Sequence, residues 1–175
     1  HETAVVKIRE DMPFDRAALI SCGVIAGFGA AVRTAKVAAG ETVAVIGCGG
    51  VGMAAINGAY IAGAGRIIAV DTNPMKLQLA TKLGATDLVN PNDGDPVENI
   101  LEMTGGGVHH AIECLGLKLT AEQSFGMLAI GGTATIVGMV PPGEKIELDG
   151  RHMARERMSA RAACARPLSK KAKSY

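Results

Sequence analysis

Residues 42–71 read TVAVIGCGGVGMAAINGAYIAGAGRIIAVD. A short apolar run, Val43 to Ile46, ends in a glycine cluster. There Gly47, Gly49 and Gly52 fill the pattern G-x-G-x-x-G, and Gly50 adds a further glycine. An amphipathic segment follows from Val51 to Ala62, and a second apolar run, Ile67 to Val70, ends on Asp71. Strand, glycine turn, helix, strand and acid in this order form the context a dinucleotide-binding unit requires. Gly47 lets the chain turn out of the strand, Gly49 leaves room for a pyrophosphate at the backbone, and Gly52 lets the helix pack on the sheet. The first N–H groups of the helix face an anion, with the helix dipole in support. Asp71 lies 19 positions after Gly52, where a carboxylate can accept hydrogen bonds from a ribose diol. A solvated pair of Asp71 with Lys76 at a helix start is the plainer alternative.

A chain of 175 residues is one domain, with room for a fragment of another. Hydrophobic residues make up 48% but aromatics only 3%, so Ala, Gly, Val and Ile build the core. Glycines or charges interrupt every apolar stretch long enough to span a membrane, and no membrane partner is expected. The chain starts at His1-Glu2, and no signal peptide is expected. Cys22, Cys48, Cys114 and Cys164 are far apart and form no C-x-x-C pair, which fits reduced thiols and a cytoplasmic location. Net charge is +1 but uneven: residues 151–175 carry five Arg and three Lys against Glu156 alone. The first 150 residues are mildly acidic, which argues against nucleic acid as their partner.

From Thr3 to Arg9 the chain reads as a strand, broken at Asp11-Met12-Pro13. Asp15 is a plausible cap for a helix from Arg16, Ser21-Cys22-Gly23 interrupts it, and a second helix runs over 24–37. Its glycines at 27 and 29 demand close packing. The alternation then begins: strand 43–47, helix 50–63, strand 66–70, and helix 74–83 with Asn73 as cap and Pro74 in the first turn. Strand 86–89, a helix opened by Asp95-Pro96 and ending near Thr104, strand 108–114, helix 119–129 and strand 133–137 complete it. This pattern predicts an α/β fold, a doubly wound parallel sheet in the order 3-2-1-4-5, with a ligand above the carboxyl ends of strands 1 and 4. Ile146-Glu147-Leu148 follows Pro141-Pro142-Gly143 as a short alternating strand. A sixth central strand is doubtful, because residues 151–175 form a basic tail with no β pattern, expected to be disordered or helical.

MPFDRAALISCGVIAGFGAAV, GETVAVIGCGGVG, RIIAVDTNPMKLQLATKLGATD and GGTATIVGMVPPGE together resemble the medium-chain, zinc-dependent alcohol dehydrogenases. The match runs from about Ala4 to Gly150. It implies a Rossmann-type coenzyme domain over 16–150, preceded over 1–15 by a remnant of the catalytic domain. Members are much longer than this chain, so the resemblance implies a truncated chain with most of the catalytic domain missing upstream. By the family pattern the pyrophosphate lies over Gly47, Gly49, Gly50, Val51 and Gly52. Asp71 and Lys76 reach the adenosine ribose, and Val137, Gly138 and Met139 reach the nicotinamide end. The implied cofactor is NAD rather than NADP, since Asp71 would repel a 2′-phosphate. Cys22 matches one protein ligand of the family's catalytic zinc; its co-ligands belong to the missing part, so the metal is expected to be absent here. Ala26 stands where many members carry a Thr that touches the nicotinamide. The resemblance also implies a homodimer formed by edge pairing of Ile146–Leu148 with its copy.

The expected function is NAD(H) binding within an alcohol dehydrogenase-type oxidoreductase, this chain being incomplete for catalysis and so without catalytic residues of its own. A non-enzymatic nucleotide-binding module is the alternative, and a methyltransferase using S-adenosylmethionine the weakest reading. Cys48 stands at a helix N-terminus, a place that lowers thiol pKa values, but reads as a small filler. His109 and His110 alternate in direction along a strand and read as structural.

Overall fold

The computed structural model describes residues 5–150, 153 and 159–162. Six parallel strands form one sheet in the order β3-β2-β1-β4-β5-β6. They are β1 (Thr42–Ile46), β2 (Arg66–Val70), β3 (Asp87–Val89), β4 (Val108–Glu113), β5 (Leu128–Ile136) and β6 (Ser159–Ala162). The expected order of the first five strands is borne out. The sixth corrects the expectation: Ser159–Ala162 lies within the basic tail, yet it pairs in parallel with β5, Thr133 opposite Ser159 and Ile136 opposite Ala162. Apart from these four residues and Met153, the tail lies outside the described residues.

Strand residues alternate between two apolar layers, as the pleat requires. Val43, Val45, Ile67, Ala69 and Ile112 face one layer. Ala44, Ile46, Ile68, Val70 and Ala111 face the other. Fully buried isoleucines such as Ile56 and Ile100 each contribute about 1.5–3 kcal/mol relative to an exposed side chain. Helices α2 (Ile25–Gly29), α3 (Gly50–Ile61), α4 (Pro74–Lys82), α5 (Pro96–Thr104) and α6 (Lys118–Gly126) cover the two layers, whereas α1 (Phe14–Leu19) buries no residue.

The local signals for α4 and α5 act as expected. The Asn73 side chain accepts the Met75 N–H at 2.9 Å, and Asp95 accepts the Val97 N–H at 2.7 Å. Each cap satisfies a donor that the helix start leaves without an intrahelical partner.

Further expectations need correction. Asp15 does not cap the first helix: it lies within the first turn of Phe14–Leu19, whose cap position is Pro13, with no side-chain cap bond. Residues 5–9, the described part of the expected first strand, take no regular element. Phe14–Ala35 is one helical run, not two helices; Ser21-Cys22-Gly23 lies in a π-helical turn, Ile20–Val24, which absorbs an extra residue without ending the helix. Strand β5 begins at Leu128, before Gly131-Gly132, because Leu128 pairs with Val108 and pairing resumes at Thr133 opposite His110 after a register shift. Ile146–Leu148 takes no strand within the chain.

Phe14–Ala35 is also long and apolar enough to cross a membrane by length and composition alone. Its second half packs on α3 instead. A Cβ at Gly27 would stand 1.9 Å from the Val51 carbonyl oxygen, so the two helix backbones touch there as expected, but a Cβ at Gly29 would meet nothing within 4 Å, so the close packing expected at that glycine is not present. Residues Ala30, Ala31 and Ala35 join the same core layer.

Candidate functional site

At the carboxyl end of β1 the chain turns sharply. Gly47 has φ +91, a left-handed value that favours glycine, and its N–H donates to the Val70 carbonyl at 2.8 Å. A Cβ at Gly52 would lie 1.8 Å from the Gly47 carbonyl oxygen, so only glycine lets α3 start this close to the strand. Around Gly49 and Gly50 the situation is reversed, because a Cβ at either would meet nothing within 4 Å. The cap position of α3 is Gly49, and no side chain bonds to the helix start. Among the described residues no side chain caps the first N–H groups of α3, which lie at an open shelf, a geometry suited to an anion.

Asp71 follows β2 and is buried. Its Oδ2 accepts the Cys48 N–H at 2.8 Å and its Oδ1 accepts the Asn73 N–H at 2.8 Å. Lys76 Nζ stands 3.6 Å from Oδ2, with its side chain half exposed. A carboxylate offers about four acceptor positions, so Asp71 ties the glycine turn to β2 and keeps capacity for a further donor. Cys48 is buried, and burial, with help from the Asp71 charge, pushes its thiol up to about 12. That supports the reading of Cys48 as a filler in the turn.

The next strand ends complete the shelf. Leu115, just past β4, covers Gly47: its Cγ is 2.6 Å from where a Gly47 Cβ would be. Glu113, the last residue of β4, is wholly buried. Its Oε1 accepts the N–H groups of Leu115 and Gly116, each at 2.8 Å. Val137 and Gly138 follow β5 and donate to the Glu113 carbonyl at 2.9 and 3.2 Å, while Met139 is exposed. Of the ten residues expected at the dinucleotide, Gly47 and Gly49 follow β1, Gly50, Val51 and Gly52 open α3, Asp71 follows β2, Lys76 lies in the first turn of α4, and Val137, Gly138 and Met139 follow β5. Sequence reading passed over Glu113 and Leu115. An acid closing the apolar strand VHHAIE was the available signal, because it repeats the arrangement of Asp71 after β2.

Cys22 lies apart, exposed in the π-helical turn. Among the described residues no group of three or more His, Cys, Asp or Glu side chains comes together, so a zinc ion at Cys22 would need co-ligands from elsewhere. The described residues do not by themselves form a catalytic zinc site, which takes three protein ligands. The two histidines stand at the amino end of the sheet, away from the shelf. His110 Nε2 pairs with Glu41 Oε2 at 2.8 Å, and exposed His109 accepts the Thr42 N–H at 3.2 Å through Nδ1. Both therefore serve structure.

The family model for zinc-binding dehydrogenases matches residues 50–167. The chain belongs to the zinc-binding dehydrogenase family. S-(hydroxymethyl)glutathione dehydrogenase of Synechocystis sp. is 43% identical over 148 residues, which cover 83% of this chain and 40% of that protein. Benzyl alcohol dehydrogenase from Acinetobacter calcoaceticus superposes with a TM-score of 0.88 at 32% identity, covering 91% of this chain and 44% of that one. A zinc-binding dehydrogenase-type protein of Sinorhizobium meliloti 1021, solved with NADP bound, superposes at 0.80 with 33% identity, covering 84% and 44%. This family member thus spans less than half the length of these three relatives. Membership of the family also removes the methyltransferase reading.

Proposed function

We propose that this chain binds NAD(H) as the coenzyme unit of an alcohol dehydrogenase-type oxidoreductase, one that moves a hydride between an alcohol and NAD. The observation that carries the reading is the uncapped start of α3 at an open glycine shelf, beside the buried Asp71 carboxylate. In this assignment the N–H groups around Gly47, Gly49, Gly50, Val51 and Gly52 receive the pyrophosphate. Asp71 accepts from the adenosine ribose through its spare capacity, and Lys76 reaches the same sugar. The backbone of Val137, Gly138 and Met139 borders the nicotinamide. NAD is preferred over NADP, because a 2′-phosphate would meet Asp71 in a partly desolvated site. Lys76 tempers that preference, and one relative of the same fold was solved with NADP bound.

Hydride transfer needs a second set of walls around the alcohol, and Cys22 has no co-ligands among the described residues. The reading therefore assigns chemistry to this unit only together with a catalytic domain, and a homodimer through residues 146–148 is part of the same assignment. The free thiols of Cys22, Cys48 and Cys114 suit a cytoplasmic setting. Isothermal titration with NAD, NADP and AMP tests the binding claim. Saturable binding of NAD, tighter than NADP, is expected; failure of NAD and AMP to bind at millimolar concentrations overturns it.

A further inference from the structure

Glu113 serves two loops with two different polar groups. Its main-chain carbonyl accepts the N–H groups of Val137 and Gly138, which fixes the exit from β5. Its side-chain Oε1 accepts from Leu115 and Gly116 and from the Thr120 hydroxyl at 2.8 Å, which fixes the loop after β4 and the first turn of α6. The two loops lie against one another. A Cβ on Gly138 would come within 2.1 Å of the Gly116 nitrogen and 2.7 Å of Glu113 Oε2. One on Gly116, at φ +83, would come within 2.7 Å of the Met139 nitrogen and oxygen. Oε2 is buried without a hydrogen-bond partner among the described residues. A buried carboxylate with one oxygen unpartnered costs stability that an apolar side chain would not.

We infer that Glu113 is a positioning residue that locks Leu115–Leu117 and Val137–Met139 into one shelf for the nicotinamide half of the dinucleotide. The inference rests on the dinucleotide reading above. In that reading the glycine turn receives the pyrophosphate and Asp71 and Lys76 the adenosine ribose, and none of the hydrogen bonds of Asp71 and Lys76 involves Glu113. Charge-assisted bonds to the carboxylate hold the loop after β4 more firmly than a neutral acceptor would, and that loop packs directly against Gly138 and Met139.

The test measures NADH and AMP affinities of the whole chain, wild type against Glu113→Gln and Thr120→Val. Glu113→Gln is expected to weaken NADH about five- to tenfold and to leave AMP within about twofold, since a neutral acceptor holds the loop after β4, on which Val137–Met139 rest, roughly half as strongly. Thr120→Val keeps the carboxylate and removes one donor to it, so the same selective loss of about two- to threefold is expected. Equal losses for AMP and NADH would show a general structural role and overturn the inference. So would wild-type protein that binds NADH no more tightly than AMP. If Glu113→Gln does not fold, Thr120→Val decides, and unchanged NADH affinity there overturns the inference. Wild-type protein that binds neither ligand removes the dinucleotide reading itself, an outcome distinct from the others.

Discussion

The Asp71 carboxylate accepts the Cys48 N–H at 2.8 Å, joining the end of β2 to the glycine turn after β1. The acid has two duties, therefore: it braces the turn and faces the expected ribose. Asp71→Ala should cost about 2–4 kcal/mol of stability, because two backbone donors lose a charged acceptor. It should also weaken NAD and shrink the NAD/NADP affinity ratio. Asp71→Asn retains one acceptor oxygen and should lose less stability while still shrinking the ratio. Thermal melts and titrations separate the two effects, and a ratio unchanged in both variants would remove Asp71 from the ribose site.

Two glycines of the turn should respond in opposite ways. Gly52→Ala places a Cβ 1.8 Å from the Gly47 oxygen, a clash with backbone that should cost about 3 kcal/mol or more. Gly49→Ala meets open space and needs no unusual φ, since φ there is −81. Its melting temperature should stay within a few degrees of wild type while NAD affinity falls about tenfold or more, the methyl occupying the pyrophosphate's approach. Normal NAD binding by Gly49→Ala would place the pyrophosphate elsewhere.

The proposed edge pairing at residues 146–148 would have a defined polarity. The Glu147 N–H donates to Glu122 Oε1 at 2.9 Å, and Lys118 bonds Glu147 at 2.8 Å, so this residue is fastened to α6. The donors left for a second copy are those of Ile146 and Leu148, because successive groups point to opposite sides. Light scattering should find a dimer at roughly tens of micromolar, the range of a weak interface, and Ile146→Pro should shift it toward monomer. A wild-type monomer at that concentration would sink the idea.

Arg66 forms a two-pronged ion pair with Asp87, at 2.8 and 2.7 Å, and also bonds the Met103 carbonyl. The guanidinium holds the Asp87 carboxyl below its ordinary 3.8. A lowered folded-state pKa means stability present above the unfolded value and lost as pH falls through the folded one. Both side chains are partly exposed, so screening limits the pair to about 0.5–1 kcal/mol. Asp87→Asn should lower the melting temperature at neutral pH and flatten its decline below about pH 4. If both proteins lose stability in parallel on acidification, the pair contributes nothing measurable.

Turnover by this chain alone should be absent. Cys22 stands without co-ligands among the described residues, and a lone thiolate does not hold zinc in a catalytic geometry. Purified protein with NAD, zinc and a panel of alcohols should show neither stoichiometric metal nor formation of NADH. Stoichiometric zinc with turnover above a Cys22→Ala control would contradict this.

The stretch from Thr42 to Asp71 was legible because each of its signals acts within a few residues. Gly47 turns the chain, Gly52 admits the helix, and Asn73 and Asp95 cap the helices that follow them. Such local rules hold whatever surrounds them, and alternation of these elements is enough to imply a parallel sheet with helices on both faces. Tertiary structure decided the rest. Ser21-Cys22-Gly23 reads as a break, but packing of the second half of Phe14–Ala35 on α3 holds it helical through a π-helical turn. Ser159–Ala162 has no strand pattern of its own and becomes β6 because β5 offers an unpaired edge, with Arg161 also reaching the Thr34 carbonyl at 2.9 Å. Ile146–Leu148 has the strand pattern and takes no strand, since no described segment of its own chain pairs with it. Glu113 looks like any acid near a turn until the fold brings the loops after β4 and β5 together around it. A strand requires a partner and a buried carboxylate requires donors, and both are supplied by chain that is distant in sequence.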